Sequence, residues 1–326
     1  MSLNSVNTNI SAQVALQSLN ATNSNLQATQ KRISTGYRVA DATDDGAAFA
    51  VAQKVRADTG ALTTVNQQLG NAKGLVGTAL AGLTSISNSL SSANSLLVKL
   101  GDQGISSDAR AQYVTQFKAL VQQVASTVDS STYNGKTLLG KTGAAAAADG
   151  SANVIASETG TQLSVSAEDN GALAQNLYSL IGGTSTTDGN GKVTFADLDT
   201  AALGNVQKNA VAALTGKDAA GVAYNPTSGF TGAIAPDATV TGITSLQAKV
   251  ATQLNQASAD SNSLDATITF NSSKIDSLNA GLGALIDADL SKESANLQAL
   301  QIRQQLGTQA LSLANQSPQS LLSLFK

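Results

Sequence analysis

From Leu62 to Leu100 the chain reads LTTVNQQLGNAKGLVGTALAGLTSISNSLSSANSLLVKL. Ala48, Val55, Leu62, Leu69, Val76, Leu83, Leu90 and Leu97 place an apolar residue at every seventh position. A second set, Val65, Ala72, Ala79, Ile86, Ala93 and Leu100, follows three residues behind, and upstream only Asp58 breaks it. Two apolar residues per heptad on one stripe form the a/d seam of a coiled coil, sustained here beyond the three or four heptads that identify one. At about 1.5 Å per residue the predicted helix is roughly 80 Å long, a rod. Gly60, Gly70, Gly74, Gly77 and Gly82 lie off the seam. Each costs about 1 kcal/mol against alanine in a helix interior. Either packing compensates for that weakness, or the small residues let neighbouring backbones approach the outer face.

Shorter helical patterns flank the rod. Upstream, Ala12, Leu16, Leu19, Asn23, Leu26, Gln30 and Ile33 step by four and three, with polar residues at two seam positions. Downstream, Tyr113, Phe117, Leu120, Val124 and Val128 predict an amphipathic helix capped near Ser107-Asp108 and ending before the Asn134-Gly135 turn. Near the other end Ile275, Leu278, Leu282 and Leu285 keep the rhythm, and the stripe drifts through Leu290, Leu297 and Leu300. The middle, residues 141–240, is rich in Gly, Thr, Ala and Asp, with turn signals at Asp149-Gly150, Asp188-Gly189, Asn190-Gly191 and Asn225-Pro226. TQLSVSA (161–167), GKVTFADL (191–198) and DATVTGIT (237–244) alternate as strands do. GAAAAADG (143–150) reads as a surface loop or short helix at the domain junction. The expected fold is mainly α, with long N- and C-terminal helices pairing as a coiled-coil rod and an α+β or β domain inserted between them. The boundaries fall at 1–45, 46–140, 141–240, 241–285 and 286–326.

Composition narrows function. The chain has no cysteine and no histidine. This removes disulfides, Cys/His zinc sites, His general bases and the Ser-His-Asp triad, so neither an enzyme nor a cofactor protein is expected. DGNGKVT (188–194) resembles part of a calcium loop but lacks the full ligand series and closing Glu, and no metal is expected there. A formal charge of −3 supplies no basic field for nucleic acid or anionic lipid. No apolar run reaches the roughly 18–20 residues of a membrane span, and the N-terminus lacks a signal peptide's basic and apolar regions. Aromatics make up only 3%, which suits elongated helices better than a large globule.

The ends are the unusual part. No charged side chain occurs from Met1 to Gln30, or from Gln304 to Phe325. A surface helix carries Lys and Glu on its wet face at little cost, whereas burying an unpaired charge is expensive and burying an amide or hydroxyl is not, once bonded. Both faces of these terminal helices are therefore expected to become buried. One chain cannot easily cover its own two ends, so other copies must. Open head-to-tail interfaces between identical subunits generate filaments.

With that reading in place, the sequence resembles the bacterial flagellin family. The likeness lies in SAQVALQSLN (11–20), LQATQKRISTGYRVADATDDGAAFAVAQKVRA (26–57), TYNGKTLLG (132–140) and ADLSKESANLQALQIRQQLGTQALSLANQSPQSLLSLF (288–325). The middle shows no such likeness. The resemblance implies a structural subunit that self-assembles into the extracellular flagellar filament. It implies that residues 1–45 hold an inner-tube helix with its connector, and that 286–326 hold the matching C-terminal inner-tube helix. Leu16, Leu19, Leu26 and Ile33 would pack in that inner layer with Leu306, Leu311, Leu321, Leu322 and Leu324. The stretch from Ser34 to Asp45 matches the connector between inner and outer layers. Gly36 allows a bend there, and Asp44 or Asp45 can cap the helix that starts at Gly46. The resemblance also implies export through the flagellar apparatus without a cleaved signal peptide. A chaperone at the C-terminal segment and junction and cap proteins are the further partners it implies. The stretch NSLSSANSLLVKLGD (88–102) has no arginine where many family members carry those read by an animal innate immune receptor. Two rival readings are a hook–filament junction protein and a polysaccharide-binding adhesin using Tyr178, Tyr224 or Phe230.

Overall fold

The computed structural model describes residues 9–140, 152–167, 170–187, 193–198, 203–215 and 242–324, with the side chains of 203–204 and 317–324 left aside. Its long elements are helices α1 (Ile10–Thr35), α2 (Gly46–Gly101) and α3 (Ser107–Ser130), and, after the central region, α6 (Ile243–Ile286) and α7 (Leu290–Leu324). Contacts divide the chain into two compact units, Met1–Ala61 with Ser273–Lys326, and Leu62–Ser272. Helices α2 and α6 contribute to both.

In the second unit the heptad seam of α2 is the core. Leu62, Leu69, Val76, Leu83, Ile86, Leu90, Leu97 and Leu100 are fully buried, and Val65, Ala72, Ala79 and Ala93 nearly so. Fully burying one such leucine or isoleucine stabilises by about 1.5–3 kcal/mol, which is how a helix carrying so many glycines holds together. Val114, Phe117, Val121, Val124 and Val128 of α3 join the same cluster, as do Ile243, Leu246, Val250, Ala257 and Leu264 of α6. Tyr113 and Leu120 are partly buried against it. Lys73 Nζ meets Asp265 Oδ1 at 2.5 Å, and Asn66 donates to Ser272 Oγ at 3.3 Å. These pairs run in opposite directions along the two helices, so α6 lies antiparallel to α2.

Helix α3 is capped by Ser106, whose hydroxyl accepts from the Ala109 N–H at 3.3 Å, one residue before the expected cap. Asp108 falls in the first turn, where its charge suits the helix dipole. Arg110 is buried, and its guanidinium donates to the carbonyls of Leu100 (2.6 Å) and Asp102 (2.9 Å). A cation thus closes the C-terminus of α2, where orphan carbonyls and the negative dipole end both favour it. Past α3, Asn134 (φ 51°) and Gly135 (φ 77°) form the tight turn that their dipeptide predicts, with Tyr133 and Lys136 exchanging backbone bonds of 2.8 and 3.0 Å.

This turn separates the two readings of the rod glycines. A Cβ at Gly74 would lie 2.7 Å from the Tyr133 ring, and one at Gly82 would lie 2.3 Å from Ser131 Oγ. Those two glycines admit the 131–140 segment, whereas Gly60, Gly70 and Gly77 meet nothing within 4 Å.

The central region holds two antiparallel hairpins, β1 (Ala152–Ile155) with β2 (Gln162–Val165) and β3 (Ser185–Thr187) with β4 (Val193–Phe195). It also holds helices α4 (Leu173–Ser179) and α5 (Leu203–Thr215). β2 and β4 fall in two of the predicted strand stretches. β1 and β3 fall in none of the predicted stretches and pair with β2 and β4 as their hairpin partners. The third stretch, 237–244, is corrected from Ile243 onward, where α6 has begun; residues 237–241 lie outside the described residues. So do 143–150, Asn225-Pro226 and residues 188–192 of the calcium-like stretch. Among the described residues no group of acidic side chains could hold a metal, and no helix is long and apolar enough to cross a membrane.

Candidate assembly interface

The first unit contains the connector and the two terminal helices. Gly36 ends α1 with φ 74°, a left-handed cap that frees the chain to turn. Asp45 caps α2, accepting from the N–H groups of Ala47 (3.1 Å) and Ala48 (3.0 Å). Asp44 does something else. Its carboxylate accepts from the N–H groups of Ala40 and Asp41, and from Lys31 Nζ at 2.9 Å. Lys31 also reaches Asp41 at 2.6 Å. The ammonium beside them, aided by the Thr43 hydroxyl, holds Asp41 well below the usual carboxylate range. Lys31, and then the Ala40 N–H, lower Asp44 too, while the two carboxylates, Asp41 first, raise Lys31.

The connector crosses the junction between α6 and α7. Arg38 N–H donates to the Ile286 carbonyl (2.6 Å), Ala288 N–H donates to the Gly36 carbonyl (2.9 Å), and the Arg38 guanidinium reaches the Leu285 carbonyl (2.5 Å). Asp289 starts α7, accepting from the N–H groups of Ser291 and Lys292. Beneath, Val39, Ala48, Ala52 and Ile286 form a small apolar cluster, with Phe49, Leu282 and Leu285 packed on it. Val55, Ile275 and Leu278 are half-buried.

Helices α1 and α7 pack antiparallel. Asn9 donates to the Ala314 carbonyl (2.8 Å), Gln304 donates to Asn23 Oδ1 (2.8 Å), and Arg32 pairs with Glu293 (3.4 Å). The seam on α1 runs through Ala12, Ala15, Leu19, Thr22, Leu26, Thr29 and Ile33, with Thr29 buried and the rest half-buried. On α7 it runs through Glu293, Leu297, Leu300, Gln304, Gly307, Leu311 and Ala314. Both advance by alternating threes and fours, as antiparallel knobs and holes require. The expected seam is corrected at three positions: Leu16 and Gln30 face outward with Ala15 and Thr29 in their places, and Thr22 takes the step expected of Asn23, which is half-buried beside it and accepts from Gln304. Small side chains win there because they let the helices close up. A Cβ on Gly307 would sit only 3.2 Å from Leu19 Cδ1.

That rotation leaves an apolar surface outside the pair. On α1, Ile10, Val14 and Leu16 are exposed; on α7, Leu290, Ile302, Leu306 (58%) and Leu313 (71%) are exposed. The side chains of Leu321, Leu322 and Leu324 lie outside those described. Of the residues assigned to an inner layer, Leu19, Leu26, Ile33 and Leu311 lie on the seam, whereas Leu16 and Leu306 point away from it. Isolated apolar side chains on a surface are ordinary; here several share one helix pair, among amides and hydroxyls, with Lys292 and Arg303 the exposed charges nearest them on α7. The adhesin candidates fare differently. Tyr178 is fully buried, its hydroxyl donating to the Ala196 carbonyl and its ring edge-on to Phe195 at 5.3 Å, and burial pushes the phenol up to about 12. It offers no face to a sugar; Tyr224 and Phe230 lie outside the described residues.

Comparison with known proteins identifies the family. Residues 6–144 match the bacterial flagellin N-terminal helical region and residues 235–325 match the bacterial flagellin C-terminal helical region. The chain is 33% identical to flagellin FljK of Caulobacter vibrioides, with all of both chains covered. It is 33% identical to a flagellin of Brucella melitensis over 99% of each chain. A solved structure described as a flagellar hook-associated protein of Vibrio parahaemolyticus aligns at a TM-score of 0.50 and 14% identity. That alignment covers 75% of this chain and all of the other, a likeness of fold alone.

Proposed function

This chain belongs to the bacterial flagellin family, and from that premise we propose how it assembles: the paired α1 and α7 are buried among other copies as the inner layer of the filament. Flagellins are the structural subunits of the extracellular flagellar filament that drives swimming, and this chain is such a subunit, polymerising with itself. The observation that carries the inner-layer assignment is the row of exposed apolar side chains from Ile10 to Leu16 and Ile302 to Leu313 on helices that lack charged side chains over most of their length. Assembly removes that surface from water without stranding a charge. Leu321, Leu322 and Leu324 are assigned to the same layer from the family resemblance of the sequence alone. The seam of α2 with Ile275, Leu278 and Leu282 forms the outer rod layer, and Gly36, Asp44 and Asp45 set the bend between layers.

The domain limits proposed for this role are 1–45 for the inner helix and connector, 46–140 and 241–285 for the rod, 141–240 for the outward domain, and 286–326 for the second inner helix. Export proceeds through the flagellar apparatus without signal cleavage, with a chaperone holding the exposed C-terminal segment beforehand and junction and cap proteins meeting the finished ends. Mixing the full chain with filament seeds tests the reading. The intact chain elongates the seeds, and a chain lacking Leu306–Lys326 stays soluble and does not. Normal filaments from the truncated chain would refute it, and capping or bridging without elongation would favour the junction role.

A further inference from the structure

Beside the α1–α7 seam lies a cleft of about 290 Å³, lined by Asn25, Thr29, Arg32, Glu293, Asn296 and Arg303 among others. Its chemistry is incomplete within one chain. Glu293 is only 9% exposed, and while its Oε1 receives a long 3.4 Å bond from Arg32, its Oε2 is buried with no partner. The Arg303 guanidinium, the last charge before the uncharged C-terminal stretch, makes no ion pair among the described residues. One wall therefore lacks a donor, and the other carries an exposed guanidinium with no ion pair among the described residues. A buried carboxylate oxygen left unsatisfied is expensive, so the site is built for something that supplies a donor to one and an acceptor to the other.

We propose that this cleft seats an asparagine or glutamine side chain from a second copy of the chain, an inference that rests on the assembly reading above. A carboxamide has an NH2 to donate to the Glu293 carboxylate, which lines the cleft and holds only the long Arg32 bond, and, one atom away, an oxygen to accept from Arg303 or Arg32. The cleft presents both signs, Glu293 on one side and Arg32 and Arg303 on the other, and a single carboxamide matches both, whereas a carboxylate satisfies only the guanidiniums and a cation only Glu293. The available surface of another copy is of the right kind. Gln13, Gln17 and Gln27 on α1 and Gln305 and Gln309 on α7 are exposed, and no acidic or basic group competes with them along most of those helices. The seat gives the amide-rich ends a specific docking level along the helix pair rather than a featureless greasy contact.

The natural chain has no cysteine, so introduced pairs report without background. Chains carrying Asn296→Cys are mixed with chains carrying a cysteine at one exposed glutamine (Gln13→Cys, Gln17→Cys, Gln27→Cys, Gln305→Cys or Gln309→Cys), polymerised on seeds and oxidised. The expected result is a disulfide-linked dimer with at least one glutamine position and none with the exposed control Ser95→Cys. In parallel, Arg303→Leu raises the monomer concentration needed for growth by about tenfold, the scale of one charge-assisted hydrogen bond. Filaments that form with no such dimer, and with Arg303→Leu growing at the wild-type concentration, overturn the seat while leaving assembly standing. Failure of the wild-type chain to extend seeds overturns the assembly reading and the seat with it.

Discussion

Leu306 and Leu313 lie seven residues apart on one side of α7, exposed by 58% and 71% in the single chain. Replacing either with alanine keeps the helix propensity and removes three carbons. At about 0.8 kcal/mol per buried CH2, three carbons are worth roughly 2.4 kcal/mol on full burial. Only the surface still exposed in the free chain remains to be gained on assembly. The loss on polymerisation is then about 1.4 kcal/mol for Leu306→Ala and about 1.7 kcal/mol for Leu313→Ala. These correspond to critical concentrations raised about tenfold and about sixteenfold. The two sites are about 10 Å apart along the helix, so their effects add, and the double variant needs roughly 160-fold more monomer. Sedimentation of seeded polymer over a monomer series reads these values directly. Because both side chains stand clear of the α1–α7 seam, urea unfolding of the monomer stays within about 0.5 kcal/mol of wild type. Critical concentrations within twofold of wild type, or a monomer destabilised as much as the polymer, would show that this face is not the one assembly covers.

Three further outcomes test the rest of the architecture. Arg110→Leu leaves the Leu100 and Asp102 carbonyls without their cation and lowers the stability of the second unit by about 2 kcal/mol in urea unfolding; an unchanged midpoint would mean the guanidinium caps nothing. Gly82→Val drives a side chain into Ser131 and Leu139 and costs about 1–3 kcal/mol, whereas Gly77→Ala, facing open space, stabilises by about 0.5–1 kcal/mol; the two signs can be compared in one thermal-melting series. In the connector, Asp41 and Asp44 have depressed carboxyls, so the Lys31 clamp is complete above their unfolded value near 3.8 and is lost as pH falls through the folded values. Lys31 is raised, so its share is present below 10.5 and lost only above that, leaving the clamp flat across neutral pH. Carboxyl NMR titration should place Asp44 below 3.8 and Lys31→Met should return it toward that value; a normal Asp44 midpoint in the wild type would remove the clamp from the account.

Much of this architecture was legible because it repeats. The α2 seam presents an apolar residue at every position of both sets except Asp58, large in one set and often alanine in the other, so only one face can be buried, and periodicity finds it. Gly36 and Asp45 were legible for a local reason: a left-handed cap and a first-turn acceptor are properties of a few consecutive residues. The cleft holding Glu293 was not legible. Arg32, Glu293 and Arg303 are ordinary solvated charges until α7 folds back beside α1 and brings residues about 260 apart into one wall. Arg110 was missed for a different reason: its acceptors, the carbonyls of Leu100 and Asp102, are backbone groups around the end of the preceding helix, and a lone arginine carries no sign of them.

By itself the sequence determined the long helices of the two arms and where they are punctuated, and it set the expectation that the uncharged ends become buried; the central helices α4 and α5 it did not give. These depend on spacing and on the free energy of moving side chains out of water, and neither needs a partner to be specified. Tertiary structure alone decided which side of α1 faces α7. Ala15 or Leu16, and Thr29 or Gln30, satisfy the same rhythm, and the choice fell to the pair that lets two backbones approach most closely. Leu16 and Leu306 stand outward with that choice, so close packing inside one chain also sets which apolar side chains are left on its surface.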